Sequence, residues 1–373
     1  MTFSLTDRIC SYSATEHPVR EKIFKKNLAD ILRHNSLLGT SYKKGVNEFT
    51  DMDESEGNFG YSKMHHSSWG GSTRRTLTRD ELPFDVDPIE TLPDHVDWRE
   101  KGVVTAVKDQ GGCGSCWSFA ATATLESHIA LETGTLFNLA PQEFVSCMPN
   151  PDKCGGTGGC QGATVDLAFD YAIEHGGIVQ EYQMGYTSYY GDNGNCTIHP
   201  DETTSFLRGT AGPDPDGING GVANIEGYAK IPANDYLSLM NAIAKTGPVA
   251  VSVAASPWKS YESGIFQMDG GFIEDNLDVN HAVVLVGYGT DDKTGLDYFL
   301  IRNSWKPTWA EDGYIRLLRV DPDSLDDPEN NCGMDTKPQD GVGCEGETDA
   351  VKVCGTSAIL FDNIIPVGGK LLQ

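Results

Sequence analysis

The stretch "QGGCGSCWSFAA", residues 110–121, constrains the fold most, because it places two cysteines three apart in a glycine-rich segment directly before an apolar helical pattern. Such a pair can bind a metal, act as a redox dithiol, or divide into a nucleophile and a structural disulfide. A structural zinc site needs a second close pair of ligands, and the chain has no other C-x-x-C and no H-x(3–5)-H. A thioredoxin-like pair is followed by a small α/β sheet, whereas glycine-rich loops and a late β-rich region follow here. The pattern therefore favours a nucleophile.

A nucleophilic Cys116 needs a partner that stabilises its thiolate, since a free thiol has a pKa of about 8.5. Cys116 opens the predicted helix, but the helix dipole contributes only about 0.3–2 kcal/mol, so a histidine must supply the rest. Among nine histidines, His281 precedes the apolar run "AVVLVGYG", and Asn303 follows the run "LIR". Taken alone, these two are typical of a buried neutral histidine and a strand-end turn residue. With Cys116 they make a nucleophile, a base and an orienting amide.

Two units are predicted along the chain. Residues 1–90 form the first, with a helical part at about 5–52 and a linker at 53–90 that is rich in Gly, Ser and His. Its central helix spans 16–35, and a short extended piece follows at 45–52. Residues 91–373 form the second unit, with a helical half at about 100–207 and a β-rich half at about 208–373. The expected fold class is α+β.

Helices of the second unit are predicted from Ser115 to about Glu132 and at 163–177. Its strands are predicted in four β-branched and aromatic runs: "PVAVSVAA", "HAVVLVGYG", "DYFLIRNSW" and "GYIRLLRV". These runs place His281 and Asn303 at the ends of β segments.

Charge and cysteine content limit the possible partners and compartment. The net charge is −26, and −24 of it falls in residues 92–373, so binding to nucleic acid or to an anionic membrane is not expected. Nine of the ten cysteines lie between Cys113 and Cys354, which favours an oxidising compartment. Because the start lacks a secretory signal pattern, we expect the chain to begin after one, with a lysosomal, vacuolar or secreted location. The triplet beginning at Asn195 is a possible glycosylation site.

The motifs resemble those of the papain and cathepsin cysteine proteases. "CGSCW" matches the signature around their nucleophile, and "LPDHVDWREKGVVTAVKDQGGCGSCWSFAA", "NHAVVLVGYG" and "NSWKPTWAEDGYIRL" follow in the family's order. One helical face reproduces the ERFNIN pattern, and residues 45–51 reproduce GxNxFxD; both are typical of the inhibitory propeptide of cathepsin L-like members. The ERFNIN face consists of Glu16, Arg20, Phe24, Asn27, Ile31 and Asn35.

The resemblance implies a papain-like two-domain fold, with a helical left domain and a β-barrel-like right domain, preceded by a helical propeptide domain. It implies that Cys116 is the nucleophile, that His281 is its imidazolium partner and the later acid, and that Asn303 orients His281. Gln110 and the backbone N–H of Cys116 would stabilise the oxyanion, and Trp305 would shield the His281–Asn303 hydrogen bond. The substrate-binding residues implied are Gly162, Ala163, Val165, Ala254, Val279, Trp305 and Ile359. The second subsite would be apolar and favour Leu, Val or Phe.

The family's disulfide pattern implies the pairs Cys113–Cys160 and Cys147–Cys196. Four cysteines of the second unit then remain, with three possible pairings: Cys154, Cys332, Cys344 and Cys354. Cys10 is expected to be free.

The chain departs from the family in four places. It lacks the usual cysteine before His281, Ala163 replaces a glycine, and "NSWKPTWA" puts Lys306, Pro307 and Ala310 where small residues are usual. The segment 321–352 is longer than usual, and both Cys332 and Cys354 resemble the start of the terminal strand motif. The residue at the base of the second subsite is therefore Lys337 or Ile359, and "CGTSAILFDNIIPVG" favours Ile359.

The sequence thus predicts the zymogen of a cathepsin L-like endopeptidase, activated in acid by propeptide removal near residues 85–92. Its expected partners are protein or peptide substrates, its own propeptide and cystatin-type inhibitors; it is expected to be a monomer and to need no cofactor or metal. Two alternatives stay open, an exopeptidase whose cleft is capped by the segment 321–352 and a catalytically silent binding homologue.

Overall fold

A computed structural model describes residues 12–53, 56, 77–198, 220–268 and 277–372. Its helices are α1 (His17–Ser36), α2 (Cys116–Thr133), α3 (Pro141–Cys147), α4 (Val165–Glu174) and α5 (Tyr236–Lys245). Its strands are β1 (Tyr42–Lys44), β2 (Val96–Asp97), β3 (Ala223–Asn224), β4 (Gly227–Lys230), β5 (Val249–Val253), β6 (Tyr261–Phe266), β7 (His281–Thr290), β8 (Asp297–Arg302), β9 (Tyr314–Leu318), β10 (Cys332–Asp335), β11 (Val351–Cys354), β12 (Asp362–Val367) and β13 (Lys370–Leu371).

The predicted face of α1 holds the first unit together. Arg20 and Asn27 donate hydrogen bonds to the carbonyls of residues 50–52, and Asn35 bonds both the N–H and the C=O of Lys44. The predicted helix at 16–35 is therefore confirmed. The prediction of an extended piece at 45–52 is wrong. The strand in this region is β1, which ends at Lys44, and residues 48–51 form a turn. Asn47 causes this turn, because its side-chain carbonyl accepts the N–H of Phe49.

Helix α2 lies in the interior, with residues 116–130 buried on all sides. It ends at Gly134, whose φ of 74° is the left-handed conformation that glycine adopts at little cost. Helix α4 lies within the predicted range 163–177 and packs beside α2. Both helices predicted for the second unit are therefore confirmed.

The β-rich half contains one large sheet with the strand order β1-β6-β9-β8-β7-β5-β12-β4, and β2 pairs with β7. All four strands predicted from the sequence belong to it, and the α+β class is confirmed. Within the described residues the sheet is open, ending at β1 and β4, so the right half is not a closed barrel. Strand β1 comes from the first unit and pairs antiparallel with β6, which docks residues 42–44 onto the sheet edge.

Two large hydrophobic clusters and one small one lie in the interior of the described residues. The helix-side cluster includes Trp117, Ala163 and Val165, and the β-side cluster includes Ala254, Val279 and Ile359. The site lies where the two clusters approach each other. Among the described residues, no helix is long and apolar enough to cross a membrane.

Four disulfides crosslink the described chain: Cys113–Cys160, Cys147–Cys196, Cys154–Cys344 and Cys332–Cys354. The first two are the pairs that the family resemblance implies. The other two select one of the three open pairings. Cys116 is the one free cysteine among the described residues, while Cys10 lies outside them.

The domain boundaries stay predictions. Most of the linker at 53–90 and the division near residue 207 fall in 54–55, 57–76 and 199–219, which lie outside the described residues.

Candidate active site

Sheet register brings His281 and Asn303 together. His281 is the first residue of β7, Asn303 directly follows β8, and these antiparallel strands pair Val284 with Arg302. The start of one strand therefore lies beside the end of the other. The result is a hydrogen bond of 2.8 Å between His281 Nε2 and Asn303 Oδ1, with both side chains buried.

A second contact fixes the orientation of the Asn303 amide. The backbone N–H of Ser304, which can only donate, lies 2.8 Å from the same Oδ1 atom. Oδ1 is therefore the acceptor, and Nε2 of His281 carries the hydrogen. This tautomer leaves Nδ1 as the imidazole nitrogen that can accept a proton.

Cys116 lies next to this pair, at the N-terminus of α2. Its Sγ accepts a hydrogen bond of 3.1 Å from the backbone N–H of Ala282, the residue after His281. The side chain is fully buried, and burial raises the pKa of the Cys116 thiol to about 12, although the backbone N–H groups of Ala282 and Trp117 lower it. With the first unit docked, burial thus favours the neutral thiol. Exposure to solvent or a positively charged imidazole would be needed to stabilise the thiolate.

Gln110 is held from both ends of its side chain. Ser304 Oγ donates to its Oε1 at 2.6 Å, and its Nε2 donates to the carbonyl of Cys113 at 3.0 Å. These contacts aim the amide nitrogen at the 113–116 loop. A second N–H of Gln110 and the backbone N–H of Cys116 are donors of the kind that stabilise an oxyanion.

The residues predicted to bind substrate form two walls. On the helical side, the Cys113–Cys160 disulfide and the hydrogen bond from Gly114 N–H to the Cys160 carbonyl hold the 160–163 loop beside the loop that precedes Cys116. That loop contains Gly162 and Ala163, and Val165 begins α4. All three are buried.

On the β side, Ala254, Val279 and Ile359 belong to one buried cluster. The N–H of Ala254 donates to the carbonyl of Ser357 at 2.9 Å, and the N–H of Asn280 donates to the carbonyl of Val253 at 3.0 Å. These bonds bring residues 253–254, 279–280 and 357–359 together. The three subsite residues predicted on the β side therefore lie close together.

Trp305 lies over His281, with ring centroids 4.9 Å apart and planes inclined by 29°. Phe49 of the GxNxFxD segment also contacts Trp305, with ring centroids 5.1 Å apart. Lys306, which replaces the family's glycine, makes an ion pair of 2.8 Å with Glu48. The altered "NSWKPTWA" segment thus contacts the first unit directly.

Sequence reasoning did not identify two residues that support the site. Ser304 anchors Gln110, and Tyr186 donates from its hydroxyl to the Gln110 carbonyl at 2.8 Å. The position of Ser304 beside Asn303 was a usable signal. Tyr186 gave none, because its contact spans 76 residues of sequence.

One group of possible metal ligands occurs among the described residues: His95, Asp97 and Glu100. Two of the three are exposed, and Asp97 is already paired with Arg99 at 2.6 Å. The group therefore makes a weak ligand set, and no role follows from it.

Comparison with known proteins agrees with the geometry. The family model described as papain family cysteine protease matches residues 92–342, and the cathepsin propeptide inhibitor domain (I29) matches residues 10–56. The probable cysteine protease RDL3 of Arabidopsis thaliana is 37% identical over 322 residues, covering 86% of this chain and 75% of that protein. Cathepsin L of Sarcophaga peregrina is 34% identical over 345 residues, covering 90% and 89%.

Solved structures of precursors match over nearly the whole chain. Recombinant stem bromelain precursor gives a TM-score of 0.68 at 28% identity, covering 97% of this chain and 96% of that one. Digestive procathepsin L 3 of Tenebrio molitor larval midgut gives 0.67 at 28% identity, covering 98% and 100%.

Proposed function

Since the chain belongs to the papain family of cysteine proteases and carries the cathepsin propeptide inhibitor domain, we propose that it is the zymogen of an endopeptidase whose catalytic residues are Cys116, His281, Asn303 and Gln110. One observation carries the proposal. Asn303 holds the His281 imidazole at 2.8 Å while the sulfur of Cys116 accepts the N–H of the adjacent Ala282 at 3.1 Å. This arrangement supports a nucleophile whose sulfur is bonded by the residue next to the base, and a base that has its own orienting group.

Acylation starts when His281 Nδ1 takes the thiol proton. The Cys116 thiolate attacks the scissile carbonyl carbon, a C–S bond forms, and the carbonyl electrons move to oxygen. Gln110 Nε2 and the backbone N–H of Cys116 donate to that oxyanion. The imidazolium then gives its proton to the amide nitrogen, the C–N bond breaks, and the amine leaves a thioester on Cys116.

Deacylation uses the same groups in reverse. His281 removes a proton from water, which attacks the thioester carbon, and the sulfur leaves and takes the proton back. The acid product is released and the free thiol and neutral imidazole are restored, so the atoms balance without a redox partner or a metal. Asn303 keeps the imidazole aligned throughout, and Trp305 shields their hydrogen bond from water.

Substrate would bind between the two walls. The loop of Gly162 and Ala163 offers backbone groups to the substrate main chain, and the apolar side chains of Val165, Ala254, Val279 and Ile359 favour an apolar residue second from the cut.

Several contacts between the two units support inhibition of the enzyme by its first unit, which acid would relieve. Arg79 donates a hydrogen bond of 2.7 Å to Asp235. Burial raises the pKa of the Asp235 carboxyl, but the hydrogen bonds from Arg79 and Ser238 outweigh burial and lower that pKa overall. A carboxylate with a lowered pKa stabilises the docked state at pH values above its ordinary 3.8, and this contribution is lost only as pH falls below that value. The Arg79–Asp235 pair therefore still holds the first unit at about pH 4 to 5, and release at that pH must depend on other groups. The ion pairs Lys306–Glu48 and Lys245–Asp87 also connect the two units.

Propeptide removal near residues 85–92 would release the mature enzyme. At about pH 4 to 5, wild-type zymogen should process itself and should also process Cys116→Ala zymogen added to it. A pure Cys116→Ala sample that matures unaided would contradict self-processing. We further propose that the enzyme works as a monomer in an acidic lysosome or vacuole or after secretion, and that it is open to cystatin-type inhibitors.

The test is hydrolysis of a fluorogenic peptide with valine second from the cut, after propeptide removal. Wild type should cleave it and a thiol-directed epoxide should abolish cleavage, while Cys116→Ala should be inactive. Ser118→Ala is a matched control, because its hydroxyl lies only two residues further along α2 and donates to the carbonyl of Ser115. Absence of cleavage in properly processed wild type would favour the silent binding homologue.

An exopeptidase is the second candidate, and one observation favours it: residues 338–345 contact both walls of the site. Product lengths from a long unblocked peptide separate the two functions. Internal fragments would support the endopeptidase, whereas stepwise loss of one or two terminal residues would support the exopeptidase.

A further inference from the structure

The long segment between β9 and β12 forms a covalently closed structure of its own. Its strands β10 and β11 pair antiparallel, and Cys332–Cys354 joins their ends. Between these strands, residues 338–345 leave the hairpin and cross to the helical half. We refer to residues 338–345 as the strap.

Four contacts tie the strap to the helical half. Cys344 is bonded to Cys154, and Gly155 N–H donates to the carbonyl of Gly343 at 3.0 Å. Glu345 N–H donates to the carbonyl of Asp152 at 3.1 Å, and its carboxylate pairs with Lys153 at 2.9 Å. This end of the strap is therefore fixed by a covalent bond and by local polar contacts.

The other end of the strap is tied to the segment before His281. Gly341 packs so closely on Val279 that a Cβ there would lie 2.1 Å from the Val279 carbonyl oxygen. Just before the strap, Asp335 accepts the N–H of Val279 at 3.3 Å, and the carbonyl of Met334 accepts the N–H of Leu277 at 3.0 Å. The segment that lacks the family's usual cysteine is thus held by this insertion.

These contacts place Val342 between the two walls of the site. The residue before it touches Val279, and the residue after it bonds Gly155, whose own Cβ would lie 2.9 Å from the Ala163 backbone. In agreement, Val342 is partly buried and packs against both the helix-side and the β-side cluster.

We propose that the strap is a specificity element of the cleft, in which Val342 limits the size of the substrate side chain that enters between Ala163 and Val279. This inference rests on the proposed function. It goes beyond the choice between Lys337 and Ile359 as the residue that closes the pocket, because Val342 packs against both the helix-side and the β-side cluster. The strap therefore narrows the expected preference from Leu, Val or Phe to small apolar side chains.

The experiment compares two fluorogenic peptides that differ only in having valine or phenylalanine second from the cut. Processed wild type should favour valine, and Val342→Ala, which removes two methyl groups from the wall, should raise the phenylalanine-to-valine ratio of kcat/KM by about tenfold. Val351→Ala is the matched control, because Val351 is a partly buried valine of the same insertion that packs against the β-side cluster. Its ratio should stay within about twofold of wild type.

A wild type that favours phenylalanine, or a Val342→Ala ratio within twofold of wild type, would overturn the proposal. If Val342→Ala does not fold, the double variant Cys154→Ser/Cys344→Ser replaces it, and loosening of the strap should shift the ratio in the same direction. If wild type cleaves neither peptide, the proposed function fails. The strap is then tested by the affinities of the same two peptides for processed Cys116→Ala, in which Val342→Ala should produce the same relative gain for phenylalanine.

Discussion

Replacing Lys306 with glycine should loosen the docking of the first unit. Lys306 has a φ of 68°, a conformation that glycine adopts without strain, so the substitution restores the family residue and relieves the backbone. It also removes the 2.8 Å ion pair with Glu48, whose two side chains are 27% and 12% exposed. Glu48 then remains largely buried without this cation.

The exposure of the two side chains sets the size of the effect. Exposed ion pairs contribute about 0–1 kcal/mol, and breaking a buried pair costs about 2–5 kcal/mol. A pair of intermediate exposure should therefore cost about 1–2 kcal/mol, which changes the population of the undocked state by a factor of about 5–30. Phe49 remains packed on Trp305, 5.1 Å away, so docking should be weakened rather than lost.

The assay is the rate at which a thiol-directed peptide epoxide labels Cys116 in the intact zymogen at neutral pH. Because Cys116 is fully buried in the docked state, the labelling rate should follow the undocked population. Lys306→Gly should raise it about 5–30-fold. Glu48→Gln should do the same alone and add little in the double variant. A Lys306→Gly rate within twofold of wild type, or fully additive effects, would refute the reasoning.

Three further predictions concern other parts of the structure. Asn303→Ala should lower kcat/KM by roughly 10–100-fold and change its pH profile, because the His281 imidazole loses the acceptor that orients it. An unchanged pH profile would contradict the orienting role of Asn303. Glu56→Gln should lower the stability of the docked first unit above about pH 4.5 and leave it unchanged well below that pH, since Arg20 lowers the pKa of the Glu56 carboxyl from its ordinary 4.5. Thermal unfolding measured as a function of pH tests this, and an equal loss of stability at about pH 3 would contradict it. Cys154→Ser/Cys344→Ser should cost about 2–5 kcal/mol in the free energy of unfolding, because the bond closes a loop of 190 residues, and an unchanged denaturant midpoint would contradict this.

Local patterns predicted much of this fold, because the elements concerned are set by nearby residues. Helix α1 follows from one stripe of spaced residues, and α2 follows from an apolar run that ends at Gly134. The group of Cys116, His281 and Asn303 could be proposed from their positions at the ends of predicted elements. Strand register then explains why the last two residues meet.

Contacts between distant residues could not be predicted in this way. Cys154 could pair with any of three cysteines by sequence alone, and its bond to Cys344 depends on the path of the strap. The ion pair of Lys306 with Glu48 spans the two units and left no signal in either segment. The turn at 48–51 was missed because Asn47 forms a side-chain hydrogen bond that an extended segment would not need.

The most direct test of the central claim is to locate the residue that the epoxide modifies in the processed protein. The account predicts one adduct per chain, on Cys116, forming in proportion to the loss of peptide hydrolysis and absent from Cys116→Ala, which should itself be inactive. Hydrolysis that persists in Cys116→Ala, or that survives complete modification of Cys116, would contradict the assignment of the nucleophile.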